Sequence, residues 1–286
     1  MPSVNRRIAL LSAKYLLAPE DAFVLTCRRK HDGVVAKLVT LTDNEWSVEY
    51  AAVEGNTEAL QTLNEHTALG VTTIRTVAEF GHFKAIRWLF AMGFSLDERT
   101  CAAAAEGGQL NMLRWLRAHG CPWNAWTCEC AAMYGRLHVL QWARANGCPW
   151  NAEVCAMAAK NGHIAVLQWA RANGCPWNIY TCALAAENGH LHVLQWARAN
   201  GCPWNWTTCE YAAENGHLAV LQWARANGCP WNAETCASAT LGGHLHVLQW
   251  ARANGCLWDG RVVEWAKENG YRDVLEWAIA NGCPTA

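Results

Sequence analysis

The feature that most constrains this chain is a repeat length. The glycine of "GCPW" stands at Gly120, Gly147, Gly174, Gly201 and Gly228, with degenerate copies at Gly255 and Gly282, each 27 residues after the last. A second glycine keeps the same step from Gly81 to Gly270, and Gly55 precedes it by 26. The tryptophan of "LQW" runs in parallel from Trp88 to Trp277. About nine units can be traced, clearest from about Leu110 to Trp258. A period of about 20–50 residues marks an architecture of stacked units, because one short unit cannot bury its apolar face alone.

The unit Asn178–Trp204 reads "NIYTCALAAENGHLHVLQWARANGCPW". Asn178 is a good helix N-cap, its side-chain oxygen able to accept from the first free backbone N–H groups. A short helix through Thr181, Cys182 and Ala185–Ala186 follows, and Gly189 of "NG" ends it in the left-handed conformation glycine tolerates. A second helix runs from about His190 to Asn200, with Leu191, Val193, Leu194, Trp196 and Ala197 spaced along one apolar face. Gly201 caps it and Pro203 forbids its continuation. Nothing in the unit alternates as a strand does, so the predicted fold class is all-α, a solenoid of stacked helix–turn–helix units.

The pattern "TCxxAAxxGHLxVLQWARANGCPWNA" resembles an ankyrin repeat shortened by about six residues, the usual unit having about 33. The "AAxxGH" turn, the apolar pattern of the second helix and the "G…NA" loop are shared. "TC" stands for the usual "TPLH", and "GCPWNA" for "GADxNA". The missing residues are those of the projecting β-hairpin finger. Short arrays rich in cysteine and tryptophan, similar to this one, occur in large DNA viruses and some protists. The resemblance covers about residues 45–286, and it implies that the first helices line a concave face used for protein binding.

Fifteen cysteines and eighteen tryptophans then find places in the unit. Cysteine recurs in the loop (Cys121 to Cys283) and in the first helix (Cys101 to Cys236). A zinc site wants close pairs such as CxxC, and a loop cysteine stands seven residues from the next helix cysteine, so no metal is expected. Equivalent residues of stacked helices lie about 8–10 Å apart, too far for the less than about 7 Å of a disulfide. Cysteine is therefore expected as a small buried residue in a reducing, cytoplasmic compartment, with the nucleus also open. The recurring turn histidines (His163, His190, His217, His244) are expected to bond backbone of the neighbouring turn. The second-helix tryptophans are expected in the core and the loop tryptophans against adjacent loops. The alternative for the loop series is an aromatic ladder stacking bases or sugars. Arg117, Arg144, Arg171, Arg198, Arg225 and Arg252 fall in the last turn of the second helix, where a cation complements the helix dipole.

A formal net charge of −1 argues against a dedicated nucleic-acid binder. No apolar run is long enough to span a membrane, and Lys14 breaks the N-terminal apolar run that a signal peptide would need. No catalytic motif appears, so no catalytic residue and no cofactor are assigned. Residues 1–45 do not fit the period and form an expected helical cap, with 46–286 as the array. "LAPEDAFVLTCRRKHD" faintly resembles the latter part of an F-box, which would make the chain a substrate-recruiting adaptor docking a ubiquitin-ligase adaptor protein.

Function is legible where the repeats stop agreeing. One position near the start of the first helix reads Trp126, Glu153, Tyr180, Thr207 and Glu234. The position before it reads Ala125, Ala152, Ile179, Trp206 and Ala233, and one further along reads Cys130, Met157, Leu184, Tyr211 and Ser238. The second helix hardly changes. Trp126, Glu153, Tyr180, Trp206, Tyr211 and Glu234 are accordingly the candidate partner-binding residues, aromatic side chains being frequent anchors. The expected function is protein–protein interaction without catalysis.

Overall fold

A computed structural model describes residues 44–284. The expected cap and the F-box-like stretch therefore lie outside the described residues, apart from residues 44 and 45, which open the first helix. Eighteen helices and no strand occur among the described residues. The chain divides into two compact units between Trp150 and Asn151. The first contains α1 (Asn44–Glu54), α2 (Thr57–His66), α3 (Val71–Phe80), α4 (Phe83–Ala91), α5 (Glu98–Gly107), α6 (Leu110–Ala118), α7 (Ala125–Met133) and α8 (Leu137–Ala145). The second contains α9 (Ala152–Lys160), α10 (Ile164–Ala172), α11 (Ile179–Glu187), α12 (Leu191–Ala199), α13 (Trp206–Glu214), α14 (Leu218–Ala226), α15 (Ala233–Leu241), α16 (Leu245–Ala253), α17 (Arg261–Glu268) and α18 (Arg272–Ala280).

Odd-numbered helices are the first of each pair and even-numbered helices the second. Within each unit, every odd helix packs on the next odd helix and on its own partner, so each unit is an all-α solenoid of stacked helix pairs. The row of first helices is close because its contact faces are small: Cys182, Ala183, Ala185 and Ala186 are all fully buried. The second helices of the second unit touch chiefly their own first helices, burying Val193, Leu194 and Ala197 and their equivalents.

Capping follows the expected chemistry. The Asn178 side chain accepts from the backbone N–H of Tyr180 at 3.0 Å, and Asn151, Asn205 and Asn232 do the same for Glu153, Thr207 and Glu234. Gly189 takes φ +72° and Gly201 φ +82°, but they are needed for different reasons. A Cβ on Gly201 would meet open space, whereas one on Gly189 would lie 2.9 Å from the His217 ring of the next repeat. That ring reaches back to bond the Glu187 carbonyl at 3.0 Å, so the turn histidines do hold the neighbouring turn.

The tryptophans of the second helices depart from expectation. Trp142, Trp196, Trp223 and Trp250 are half-buried rather than core. Val193, Leu194 and Ala197 already fill the inward face of α12, which leaves Trp196 on its flank, where an indole too large for the close-packed interior can lie. No described helix is long and apolar enough to cross a membrane.

Candidate docking surface

The variable residues sit where the helix caps put them. Each N-cap asparagine holds the backbone N–H two residues on, and the side chain of that second residue is left to project from the first-helix row. Trp126 is 45% exposed and Tyr180 47%; Trp206, one position earlier in its helix, is 40% exposed. Leu241, Leu257 and a few other apolar side chains are as open, but these three are aromatic and stack on no other ring among the described residues. Tyr211 is half-buried, although Cys130 and Ser238 in the same register are buried. That register faces partly inward, and only a long side chain emerges from it.

Trp126 lies in the first unit, beside a shallow hollow lined by Glu98, Arg99, Asn124 and Trp126. The other five candidates belong to the second unit, and the structure brings three of them into one electrostatic neighbourhood. Tyr211 feels the carboxylates of Glu210, Glu187 and Glu214 and the hydroxyl of Tyr180; burial first, and then these neighbours, push its phenol upward. Glu210 is likewise pushed above the ordinary carboxylate range, by burial and then by Glu234 and Glu214. Glu153 and Glu234 also occupy first turns, where a carboxylate favours the helix dipole. Glu234 is further engaged by an ion pair to Arg261 at 2.6 Å. Those two glutamates therefore have a structural role of their own.

Glu187, Glu210 and Glu214 were not singled out by the variation between repeats, yet sorting charges by register would have found them. Helices α9, α11, α13 and α15 carry Glu153, Glu187, Glu210, Glu214 and Glu234 against one basic residue, Lys160. Helices α10, α12, α14 and α16 carry Arg171, Arg198, Arg225 and Arg252 and no acid. The near-zero net charge conceals this segregation.

The second-helix row is closed chemically. Each of Arg117, Arg144, Arg171, Arg198, Arg225 and Arg252 lies over the loop tryptophan six residues on, 4.0–4.2 Å from its ring centroid. The same guanidinium donates to the carbonyl of the loop cysteine, as Arg198 does to Cys202. The loop tryptophan then meets the next second-helix tryptophan edge to face, Trp177 with Trp196 at 6.1 Å and Trp204 with Trp223 at 5.9 Å. The arginines thus do more than complement a dipole, and the loop tryptophans pack on the tryptophan of the following second helix.

Every described cysteine is buried, and none of them forms a disulfide. The pairing runs across registers, helix cysteine to the loop cysteine 20 residues later, which spacing along the chain does not suggest. Cys182 is hydrogen-bonded to the Cys202 thiol, and that bond, with burial, pushes the Cys182 thiol far up. The Cys202 thiol also donates to the Asn178 carbonyl, 3.6 Å away, tying each loop to the one before it. Cys130 is pushed up to about 12 by burial and by Glu106, Glu129 and Glu79. The first-helix thiols are held protonated, while the bond from Cys182 draws the Cys202 thiol downward, and both registers lie inside as small weakly polar packing groups. Among the described residues no three His, Cys, Asp or Glu side chains converge as a metal site.

No family model matches the chain. No curated protein matches it. Among solved structures, the chain is similar to the crystal structure of the human ASB11 ankyrin repeat domain, with a TM-score of 0.46 and 16% identity over 55% of this chain and 84% of that one.

Proposed function

We propose that the chain is a protein-binding repeat scaffold, and that within each unit the first-helix row carries a contact surface. The observation that bears this reading is the contrast between aromatic residues. The repeated second-helix and loop tryptophans are half-buried and stacked, while Trp126, Tyr180 and Trp206 stand open with no ring beside them. Exposed aromatic side chains without an internal role are the usual anchors of a protein interface. The sequence resemblance to ankyrin repeats supports reading the first helices as the partner-facing side. The buried thiols, the nucleophile-type side chains that the repeat multiplies, are placed for packing, so the reading is one of binding without chemistry.

A photo-crosslinking side chain placed at Tyr180 of the full chain, in a lysate, is expected to give discrete protein adducts. The same group at Gln195, exposed on the second-helix row, is expected to give none. Adducts confined to position 195, or equal at both, would remove the first-helix row as the docking surface.

A further inference from the structure

We propose that the first-helix row of the second unit binds an extended peptide segment rich in arginine and lysine, whose cations lie at Glu210 and Glu214 among the rings of Tyr180, Trp206 and Tyr211. The proposal rests on the docking row above and names its occupant.

Geometry comes first. Trp206, Glu210 and Glu214 stand at i, i+4 and i+8 on α13, which places them in line on one face. Tyr211 adjoins that line and reaches the neighbourhood of Tyr180 and Glu187 on α11. The buried face of α13 is formed by Thr208, Cys209, Ala212 and Ala213, so the line belongs to the outer side. Exposed rings beside carboxylates suit a guanidinium or an ammonium twice over, by charge and by cation–π attraction.

The charges point the same way. Among the described residues, cations pair with this surface only at its margins. Lys160 on α9 lies 3.7 Å from Glu187, and Arg261 on α17 holds Glu234 and Asp259. Glu210 and Glu214, between those margins, make no ion pair among the described residues. They are also like charges four residues apart on one helix, an arrangement that costs the fold stability. The arginines of the second-helix row are stacked on their loop tryptophans, and Lys160 and Arg261 are paired, so a carboxylate pair without a cation, flanked by open rings, is a surface awaiting an external one. A nucleic acid would be repelled here. A neutral apolar segment would find the rings and leave the carboxylates unmatched.

The repeat also sets a spacing. Helices packed side by side stand about 8–10 Å apart, and an extended chain rises about 3.3 Å per residue. About three residues of the peptide therefore cross one repeat, and a cation at every third position keeps register with the array.

The test uses the full chain and fluorescein-labelled peptides of about 15 residues, about three for each of the second unit's helix pairs. One carries arginine at every third position in a glycine–serine background, and its counterparts carry glutamate or serine there. By anisotropy, the arginine peptide is expected to bind with an affinity that falls as salt rises. The double change Glu210→Gln with Glu214→Gln is expected to weaken it by about tenfold or more, and Trp206→Ala with Tyr211→Ala by a similar factor. Because the glutamine pair removes a like-charge repulsion, its loss of binding cannot be assigned to unfolding, and unchanged helicity by circular dichroism verifies this. The proposal is overturned if wild-type protein does not bind the arginine peptide, if the serine or glutamate peptide binds as tightly, or if the glutamine pair binds like wild type. A charge-randomised peptide library selected on the full chain separates this claim from the docking row. Enriched peptides that are not basic, yet are lost with Trp206→Ala and Tyr211→Ala, overturn the basic occupant and leave the row standing. Enriched peptides indifferent to all four changes overturn both.

Discussion

Trp196 and Trp206 stand ten residues apart in the sequence, one on each helix row of the second unit. Trp196 meets Trp177 edge to face at 6.1 Å, and Trp177 in turn carries Arg171 over its ring at 4.0 Å. Trp206 has no ring against it and is 40% exposed. The charges divide in the same way. Each arginine of the second-helix row serves its own loop, whereas Glu210 and Glu214 make no ion pair among the described residues. The comparison teaches that a residue type repeated with the period is spent on holding the next unit, and one that breaks the period is released from that duty. Constancy between repeats marks where the stack stabilises itself, and variation marks where it can afford to face something else.

Several substitutions put this difference under strain. The largest expected contrast is between the two tryptophans themselves. Trp196→Ala removes a half-buried indole and its stacking partner's support, and should cost about 2–3 kcal/mol, somewhat less than a fully buried ring. Trp206→Ala should stay within about 0.5 kcal/mol, as surface changes do. Midpoints of urea denaturation on the full chain measure both, and equal losses would erase the distinction between the rows.

The glycines that join the rows come next. Gly189→Ala and Gly201→Ala each force a left-handed backbone on alanine, worth about 1–2 kcal/mol. Only Gly189→Ala also displaces His217 from the Glu187 carbonyl, adding about 1 kcal/mol for the lost hydrogen bond. The two variants should therefore separate in the same denaturation series, Gly189→Ala being the weaker protein. If they coincide, the histidine contact contributes nothing.

A smaller effect is expected from Arg198→Lys. Lysine keeps the charge and loses the planar stack on Trp204, at a cost of about 0.5–1 kcal/mol. A thermal melt that does not move would mean that charge alone, at the end of α12, is what that position supplies.

The smallest effects are electrostatic and carry opposite signs. Glu210 titrates above its ordinary range, so its charged form is disfavoured in the fold and the penalty is relieved as pH falls through that raised value. Glu210→Gln should accordingly leave stability at neutral pH unchanged or raise it, by no more than about 0.5 kcal/mol. His190 and His244 are shifted downward by burial and then by His192 and His246. Their stabilisation is present above the ordinary histidine value of about 6.5 and is lost as pH falls through the depressed one. Melts between neutral and mildly acidic pH should show a decline that His190→Gln with His244→Gln flattens, and an unaltered pH slope would exclude these rings as its source.

Much of this was legible before any coordinates. The 27-residue step, the asparagine cap, the glycine stop and the buried Val–Leu–Ala stripe each follow from local stereochemistry or from a periodicity of one helix, and all stand where the sequence places them. The open positions of Trp126, Tyr180 and Trp206 were also accessible, because a site under no packing constraint is free to vary. Trp196 was harder to place. It shares the helical spacing of the apolar stripe, and only the separation between second helices decides that it lies on the flank. Cys182 and Cys202 could not be matched by spacing at all, since the loop folds back over its own helix pair to reach the start of the first helix.

What the sequence by itself determined is therefore the building unit: its length, its two helices, its caps and the short loop between units. These depend on interactions within a few turns of chain, which a single repeat already contains. What only the tertiary structure decided is which surfaces those units leave open. Stacking brings each arginine over a tryptophan and each loop thiol under an earlier carbonyl, and it gathers Glu187, Glu210, Glu214, Tyr180 and Tyr211 from two helices into one neighbourhood. Charge and exposure are properties of those assembled rows, and a linear reading sums them to nearly zero.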